Sequence, residues 1–160
     1  MKTLLAIPLV LICLMSSPSL GDDFLKGLVA LETRDFATAL REWTPLAEQG
    51  LAEAQFNLGL MYINGWGVLQ DDKTAVKWYT LAAEQGHANA QYNLGVSYYK
   101  GDGVIKDNVY AHMWVNIASS NGNERGGKTR EIIAEDMTPS QIEEAQTLAH
   151  KCVAKNYKNC

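Results

Sequence analysis

The chain lacks any strong excess of charge of one sign. Its 160 residues carry 14 Lys and Arg against 18 Asp and Glu, which gives a formal net charge of −4. Nucleic-acid binding normally rests on a basic patch, so this mildly acidic, mixed composition argues against nucleic acid as a partner. No group of Cys, His and carboxylates has metal-ligand spacing, so we expect neither a metal site nor a cofactor. His87, His112 and His150 lie far apart in sequence, and we predict that they are surface residues.

Long hydrophobic runs are lacking after the first residues of the chain. Residues 4–15 are apolar, and they are too few to span a bilayer comfortably. Lys2 precedes them, and small residues occupy the −3 and −1 positions of a possible cut before Asp22. This pattern predicts a signal peptide over residues 1–21 and an exported protein, periplasmic or secreted, with no later membrane span. An uncleaved membrane anchor is the alternative.

Cysteine is scarce, with three residues in all. Cys13 lies in the predicted signal peptide, which leaves Cys152 and Cys160 in the exported chain. A continuous helix would hold two Cα atoms eight residues apart at about 12 Å, whereas a disulfide needs about 4.4–6.8 Å. We predict that the two cysteines form a disulfide and that the last helix ends near residues 155–156. Two free thiols are the alternative in an oxidising compartment.

The most informative feature that is present is an internal repeat. Residues 47–71 read AEQGLAEAQFNLGLMYINGWGVLQD, and residues 83–107 read AEQGHANAQYNLGVSYYKGDGVIKD. The offset is 36 residues without a gap, and 15 of the 25 positions are identical. A period of this length is typical of stacked helical repeats. Such units bury their apolar faces on their neighbours and present an elongated surface.

In register, each unit contains two antiparallel helices. We designate as A helices residues 36–49, 72–85 and 108–120, and as B helices residues 23–33, 52–63, 88–99 and 124–136. A last helix is expected at 139–155. Mid-helix Gly59 and Gly95 are predicted to let a partner helix approach closely. Helix caps are expected at Gly65, Gly101, Asp71, Asp107 and Thr138.

The string A-E-Q-G-x-A-x-A-Q-x-N-L-G-x-x-Y-x-x-G-x-G-V-x-x-D, with A-V-K-W-Y-T-L-A-A-E-Q-G after it, resembles the Sel-1-like repeat, a relative of the tetratricopeptide repeat. The resemblance is strong over residues 36–120. It implies an all-α, right-handed solenoid of about three units with the A helices on its concave side. The expected domains are a solenoid over 22–136 and a capping helix with a disulfide-stapled tail over 137–160.

The resemblance also implies an adaptor or regulator that binds another protein, not an enzyme, and we expect a monomer. The A-helix positions outside the core stripe, together with one loop aromatic, are the predicted partner contacts: Thr38, Arg41, Trp66, Thr74, Lys77, Leu81, Tyr110 and Met113. Two alternatives apply. The stripe from Tyr110 to Ile117 would instead pack under the last two helices, and Trp66 would instead lie over a neighbouring helix.

Two short motifs suggest other chemistry. Residues 122–129 fit the phosphate-loop pattern G-x-x-x-x-G-K-T, but that loop needs a preceding strand, and a repeat helix precedes it here. Ser97 and Lys100 fit S-x-x-K, in which Ser97 would be the nucleophile and Lys100 its base. β-Lactam binding or weak hydrolysis has been attributed to cysteine-rich members of the family that the chain resembles. A penicillin-binding or weak β-lactamase-type hydrolase is therefore the alternative function.

Overall fold

Eight α-helices and no strand make up residues 20–160, which are the residues that the computed structural model describes. The predicted all-helical fold is confirmed. The predicted signal peptide lies outside the described residues except for its last two positions. The helices are α1 (Leu20–Glu32), α2 (Phe36–Glu48), α3 (Ala52–Asn64), α4 (Asp72–Ala83), α5 (Ala88–Lys100), α6 (Asn108–Ser120), α7 (Gly126–Glu135) and α8 (Pro139–Ala154).

The helix boundaries follow from local capping. The side chains of Asp71 and Asp107 each accept hydrogen bonds from two amides in the first turn of α4 and α6. Gly65 and Gly101 end α3 and α5 in the left-handed region, with φ of 66° and 82°. Thr138 forms a capping box at the start of α8, as predicted. Because a turn stabilised by an Asn123 side chain precedes it, α7 begins two residues later than predicted.

Three glycines bring consecutive helices into close contact. A Cβ on Gly59 would collide with the Tyr79 ring, and one on Gly95 would lie 2.7 Å from Cγ1 of Val115. These contacts join α3 to α4 and α5 to α6, so the predicted role of the two mid-helix glycines is confirmed. Gly27 of α1 has the same relation to Trp43 of α2. Gly27 is therefore the structural equivalent of Gly59, at an offset of 32 residues instead of 36.

The core consists of the faces that successive helices turn toward one another. Trp43 and other apolar residues of α2 lie in one buried cluster with Ala54, Leu58 and Met61 of α3. The equivalent face of α4 clusters with α5 and continues into α6 and α8. Each helix pair thus buries its apolar face on the next pair, as the repeat requires. Within residues 20–160, no helix combines the length and apolarity that a membrane span needs.

Buried amides connect consecutive units through hydrogen bonds. Nε2 of Gln55 donates to the carbonyl of Ala47 at 3.0 Å, and Oε1 of Gln55 accepts from Gln85 at 2.8 Å. The same arrangement recurs 36 residues later, where Gln91 donates to a carbonyl at the end of α4 and accepts from Asn121. These bonds satisfy polar groups that would otherwise be costly to bury.

The C-terminal tail is folded back by a disulfide between Cys152 and Cys160, whose Cα atoms are 5.3 Å apart. The predicted pairing is confirmed, and so is the expectation that the last helix ends between the two cysteines, because α8 ends at Ala154. Asn156 and Tyr157 then reverse the chain with φ of 51° and 65°.

Two hydrogen bonds hold the tail against earlier turns of the solenoid. The Tyr157 hydroxyl donates to Asn121 at 3.2 Å, and the Asn159 amide donates to Glu84 at 3.1 Å. The disulfide-closed tail therefore contacts the turns that follow α4 and α6.

Candidate protein-binding surface

A ridge of exposed side chains runs along α2 and α4 at equivalent repeat positions. Arg41 and Pro45 are exposed on α2, and Lys77 and Leu81 are exposed on α4. We call these four residues the α2–α4 ridge. The two predicted threonines, Thr38 and Thr74, are partly buried beside it.

The groups on this ridge are only weakly held. The Arg41 guanidinium pairs with Glu42 at 2.8 Å, and its side chain is 70% exposed. An exposed pair of this kind contributes little to stability, so a partner can displace it at low cost.

The Thr74 hydroxyl donates to the Asp71 carboxylate at 2.6 Å, and this bond lowers the pKa of Asp71. Thr74 therefore serves the cap of α4.

The same positions of α6 are covered. Met113 and Ile117, the equivalents of Lys77 and Leu81, are buried in one cluster with Ala149 and Cys152 of α8. The alternative that this stripe packs under the last helices is thus confirmed for α8. Met113 is not accessible to a partner, so its prediction as a contact residue is wrong.

Tyr110 is half-buried, and its ring lies 5.4 Å from that of Tyr98 between ring centroids. A side chain held against α5 in this way contributes mainly to packing.

A groove between α1 and α2 adjoins the ridge. Its volume is about 500 Å³, and its lining includes Leu25, Val29, Thr38 and Arg41. Two predicted contact residues therefore line one groove. Leu25 and Val29 are 58% and 60% exposed. Neither residue is among the predicted contacts, because the 32-residue offset between α1 and α3 is visible only where Gly27 meets Trp43.

Trp66 lies over a neighbouring helix. Its ring stacks on Phe36 of α2 at 5.8 Å between centroids and 4° between planes. This confirms the packing alternative for Trp66, which remains partly exposed beside Leu31 and Arg34.

The three histidines differ in environment, and the prediction that all lie at the surface is wrong. His112 is buried, and its Nδ1 has no hydrogen-bond partner among residues 20–160. Burial, together with the nearby Arg130, lowers the pKa of His112. His87 caps α5 by accepting a hydrogen bond from the Ala90 amide, and burial lowers its pKa as well. His150 is exposed.

The repeat register contained the signal for His112. Its equivalents are Leu40 and Val76, both apolar, which indicates a position that faces the core.

Each motif that suggests other chemistry contains a buried residue, Ser97 in one and Gly126 in the other. Ser97 is 4% exposed, which does not favour a nucleophile that must reach a substrate. It lines a small cavity of about 170 Å³ with Lys100 and Tyr79, and burial raises the pKa of Tyr79 to about 12. In the phosphate-loop-like segment, Gly126 and Gly127 begin α7, and a Cβ on Gly126 would lie 2.8 Å from backbone atoms of α6. Close helix packing therefore explains Gly126.

Comparison with known proteins identifies relatives of this fold. The model of the Sel1 repeat matches residues 52–87 and 88–123. The matched repeats thus begin at α3 and α5, so our A helices are the second helices of these units. A search of the curated proteins finds no match.

The solved structures that are similar to the chain include the following two. One is a protective antigen present in uropathogenic Escherichia coli strains displaying an SLR fold, with 30% identity and a TM-score of 0.82. That alignment covers 88% of this chain but only 32% of the antigen, so the chain spans about a third of that protein. The other is a Sel1 repeat protein from Oxalobacter formigenes, with 37% identity, a TM-score of 0.65 and coverage of 71% of this chain and 88% of that one. Because the sequence, the helical stack and these relatives agree, the chain belongs to the Sel1 repeat family.

Proposed function

We propose that the protein is a binding adaptor or regulator that holds another protein along the α2–α4 ridge. Sel1 repeat proteins generally mediate protein–protein interaction and are generally non-enzymatic scaffolds. The proposal assigns that role here to Arg41, Lys77 and Leu81, with Thr38 and Thr74 beside them.

One observation carries this proposal. On α6, the positions equivalent to the ridge receive a helix of the same chain, because Met113 and Ile117 are buried with residues of α8. This face of the repeat can therefore accept a helix when its side chains are apolar. On α2 and α4 the same face carries basic and mixed side chains and stays open to solvent.

The chemistry of the ridge favours a partner with both carboxylates and apolar groups. Arg41 and Lys77 supply positive charge, and Leu81, 44% exposed, supplies an apolar contact near the C-terminal end of α4. Arginine is common at the centres of protein interfaces because its planar guanidinium binds carboxylates with two hydrogen bonds.

We further propose that the protein acts after export, in the periplasm or outside the cell, as a monomer. Two observations support export. The sequence of residues 1–21 has the pattern of a signal peptide. The Cys152–Cys160 disulfide is compatible with an oxidising compartment.

The ridge is tested by affinity purification from the exporting cell. The bait is the wild-type protein or the Arg41→Glu/Lys77→Glu variant, and the recovered proteins are quantified by mass spectrometry. We expect the variant to lose the specific partner by at least tenfold, because two attractive contacts become repulsive. The Lys151→Glu/Lys155→Glu variant has the same charge change at exposed positions near the end of α8, and it should retain the partner. Equal recovery with both double variants would show that the ridge is not the contact surface.

A further inference from the structure

The N-terminal end of the solenoid presents a helix face that every later unit buries. Gly27, Gly59 and Gly95 occupy equivalent positions, since each lies against the next helix in the chain. With this register, the face of α3 that carries Ala54, Leu58 and Met61 corresponds to the face of α1 that carries Asp22, Lys26 and Val29.

On α3 this face is fully covered. Ala54, Leu58 and Met61 are buried in one cluster with Trp43 and Leu46 of the preceding helix, α2. On α5, Ala90 and Leu94 of the equivalent face are buried in the same way in a cluster with residues of α4. The interface between a unit and the helix before it is thus repeated twice inside the molecule.

On α1 the same face is open. Val29 is 60% exposed and the neighbouring Leu25 is 58% exposed. Both line the groove of about 500 Å³ between α1 and α2. Terminal repeats usually carry a polar outer face. Lys26 fits that expectation, but Leu25 and Val29 do not.

We infer that this groove binds an amphipathic helix of a partner protein, in the place that α4 has relative to α5. The inference rests on the proposed function and names the kind of segment that the partner supplies. The bound helix continues the interface already formed twice within the chain, so its apolar stripe packs on Leu25 and Val29.

The charges around the groove favour a partner helix with positive flanks and disfavour a second copy of this chain. The ionisable lining residues are Asp22, Lys26, Asp35, Arg41 and Glu42, which carry a net charge of −1. Two copies that met on this face would bring the same acidic groups together. A helix that carries lysines beside its apolar stripe would be attracted instead.

The chain itself supplies a probe of this kind. Residues 72–83 form α4, which covers the equivalent face of α5 and carries Lys73 and Lys77 against a single acidic residue, Asp72. A peptide this short is not helical alone, so it needs a hydrocarbon staple. We place the staple at positions 74 and 78, because Trp78 packs against the cluster of α2 and α3 and not on the face toward α5.

The test is titration of the fluorescent stapled peptide into the purified protein, followed by fluorescence anisotropy. We expect saturable binding to the wild-type protein and at least tenfold weaker binding to Val29→Asp. The Val153→Asp variant makes the same change at a residue of α8 that is 48% exposed, and it should bind like the wild type. A peptide with the same composition in scrambled order should not bind.

Three outcomes would overturn the inference. These are no binding to the wild type, equal binding to Val29→Asp, and a wild-type dimer in gel filtration that Val29→Asp converts to a monomer. The last outcome would make a second copy the occupant. The ridge and the groove are tested by different measurements, partner recovery for the ridge and peptide binding for the groove. Peptide binding without any effect of the ridge substitutions on partner recovery would therefore reject the ridge alone, and the opposite result would reject the groove alone.

Discussion

α4 and α6 occupy equivalent places in consecutive units, yet one face is open in α4 and closed in α6. Lys77 and Leu81 of α4 are exposed, whereas Met113 and Ile117 of α6 are buried in a cluster with α8. The helices have almost the same length and the same type of N-cap, Asp71 in one and Asp107 in the other. The two helices therefore have the same local structure. The side chains on one face determine whether that face is buried or exposed.

The largest expected change in the free energy of unfolding comes from giving α6 the side chain that α4 has at the equivalent position. Met113→Lys places a charge under α8, where burial of an unpaired ammonium and the loss of apolar packing should cost at least about 3 kcal/mol. The reverse change, Lys77→Met, should alter stability by no more than about 0.5 kcal/mol, since the site is exposed. Urea unfolding followed by circular dichroism measures both changes. If the two substitutions have similar effects, the packing of α8 on α6 is not as described.

A smaller effect is expected from opening the disulfide that holds the end of α8. Replacing both Cys152 and Cys160 by serine should lower the free energy of unfolding by roughly 2–3 kcal/mol, because a short loop is no longer closed in the unfolded chain. Hydrogen exchange should also become faster in α8 and α6.

Helices remote from the tail serve as the internal reference for hydrogen exchange in this variant. The packed cluster around α2 contains no residue of the tail, so amides of α2 should keep their exchange rates. Uniformly faster exchange along the whole solenoid would mean that the tail does not stabilise α6 selectively.

The smallest expected effect is on the pH dependence of stability. It arises at another position where α6 and α4 differ, because His112 of α6 is the equivalent of Val76 of α4. Burial lowers the pKa of His112 in the folded protein. The unfolded chain therefore takes up a proton near pH 6.5 while the folded protein does not. The stability associated with the neutral side chain is present above this pH and is lost as the pH falls toward the lower, folded pKa.

In His112→Val, stability should decrease less as the pH falls, because α6 then has an apolar residue at this position, as α4 does. The measurement is the urea midpoint of the wild type and the variant between pH 7.5 and 5. His87 also has a lowered pKa, so part of the pH dependence should persist in His112→Val and should decrease further in His87→Gln/His112→Val. His150→Gln serves as the control because His150 is exposed. An unchanged pH profile in His112→Val would show that His112 is not protonated on unfolding in this range.

The sequence predicted those features that depend on neighbours along the chain or on the repeat itself. Caps at Asp71 and Gly65 require only a few adjacent residues, and the close approaches at Gly59 and Gly95 follow from their recurrence at one register position. The disulfide was predictable because Cys152 and Cys160 are the two cysteines that remain outside the predicted signal peptide of an exported chain. Their spacing of eight residues then required the last helix to end between them.

Features that depend on remote segments were predicted less well. Trp66 was assigned to the partner-contact set, with packing over a neighbouring helix as the alternative, because nothing near it in sequence shows that Phe36 lies beneath it. The exposed Leu25 and Val29 were missed because α1 has a different offset from the later units, and that offset is visible only where Gly27 meets Trp43.

Period, helix positions, caps and family membership thus follow from the order of residues, since each reflects local hydrogen bonding or a repeated apolar pattern. Which of the equivalent faces stays open follows from the packing of whole helices. α8 begins 19 residues after α6 ends, and its contact with Met113 and Ile117 depends on the turns on either side of α7. The end of α1 is open for the corresponding reason, because no described helix precedes it to cover Leu25 and Val29. A face is buried only when a second surface of matching shape and polarity is brought to it, and only the folded chain determines where that happens.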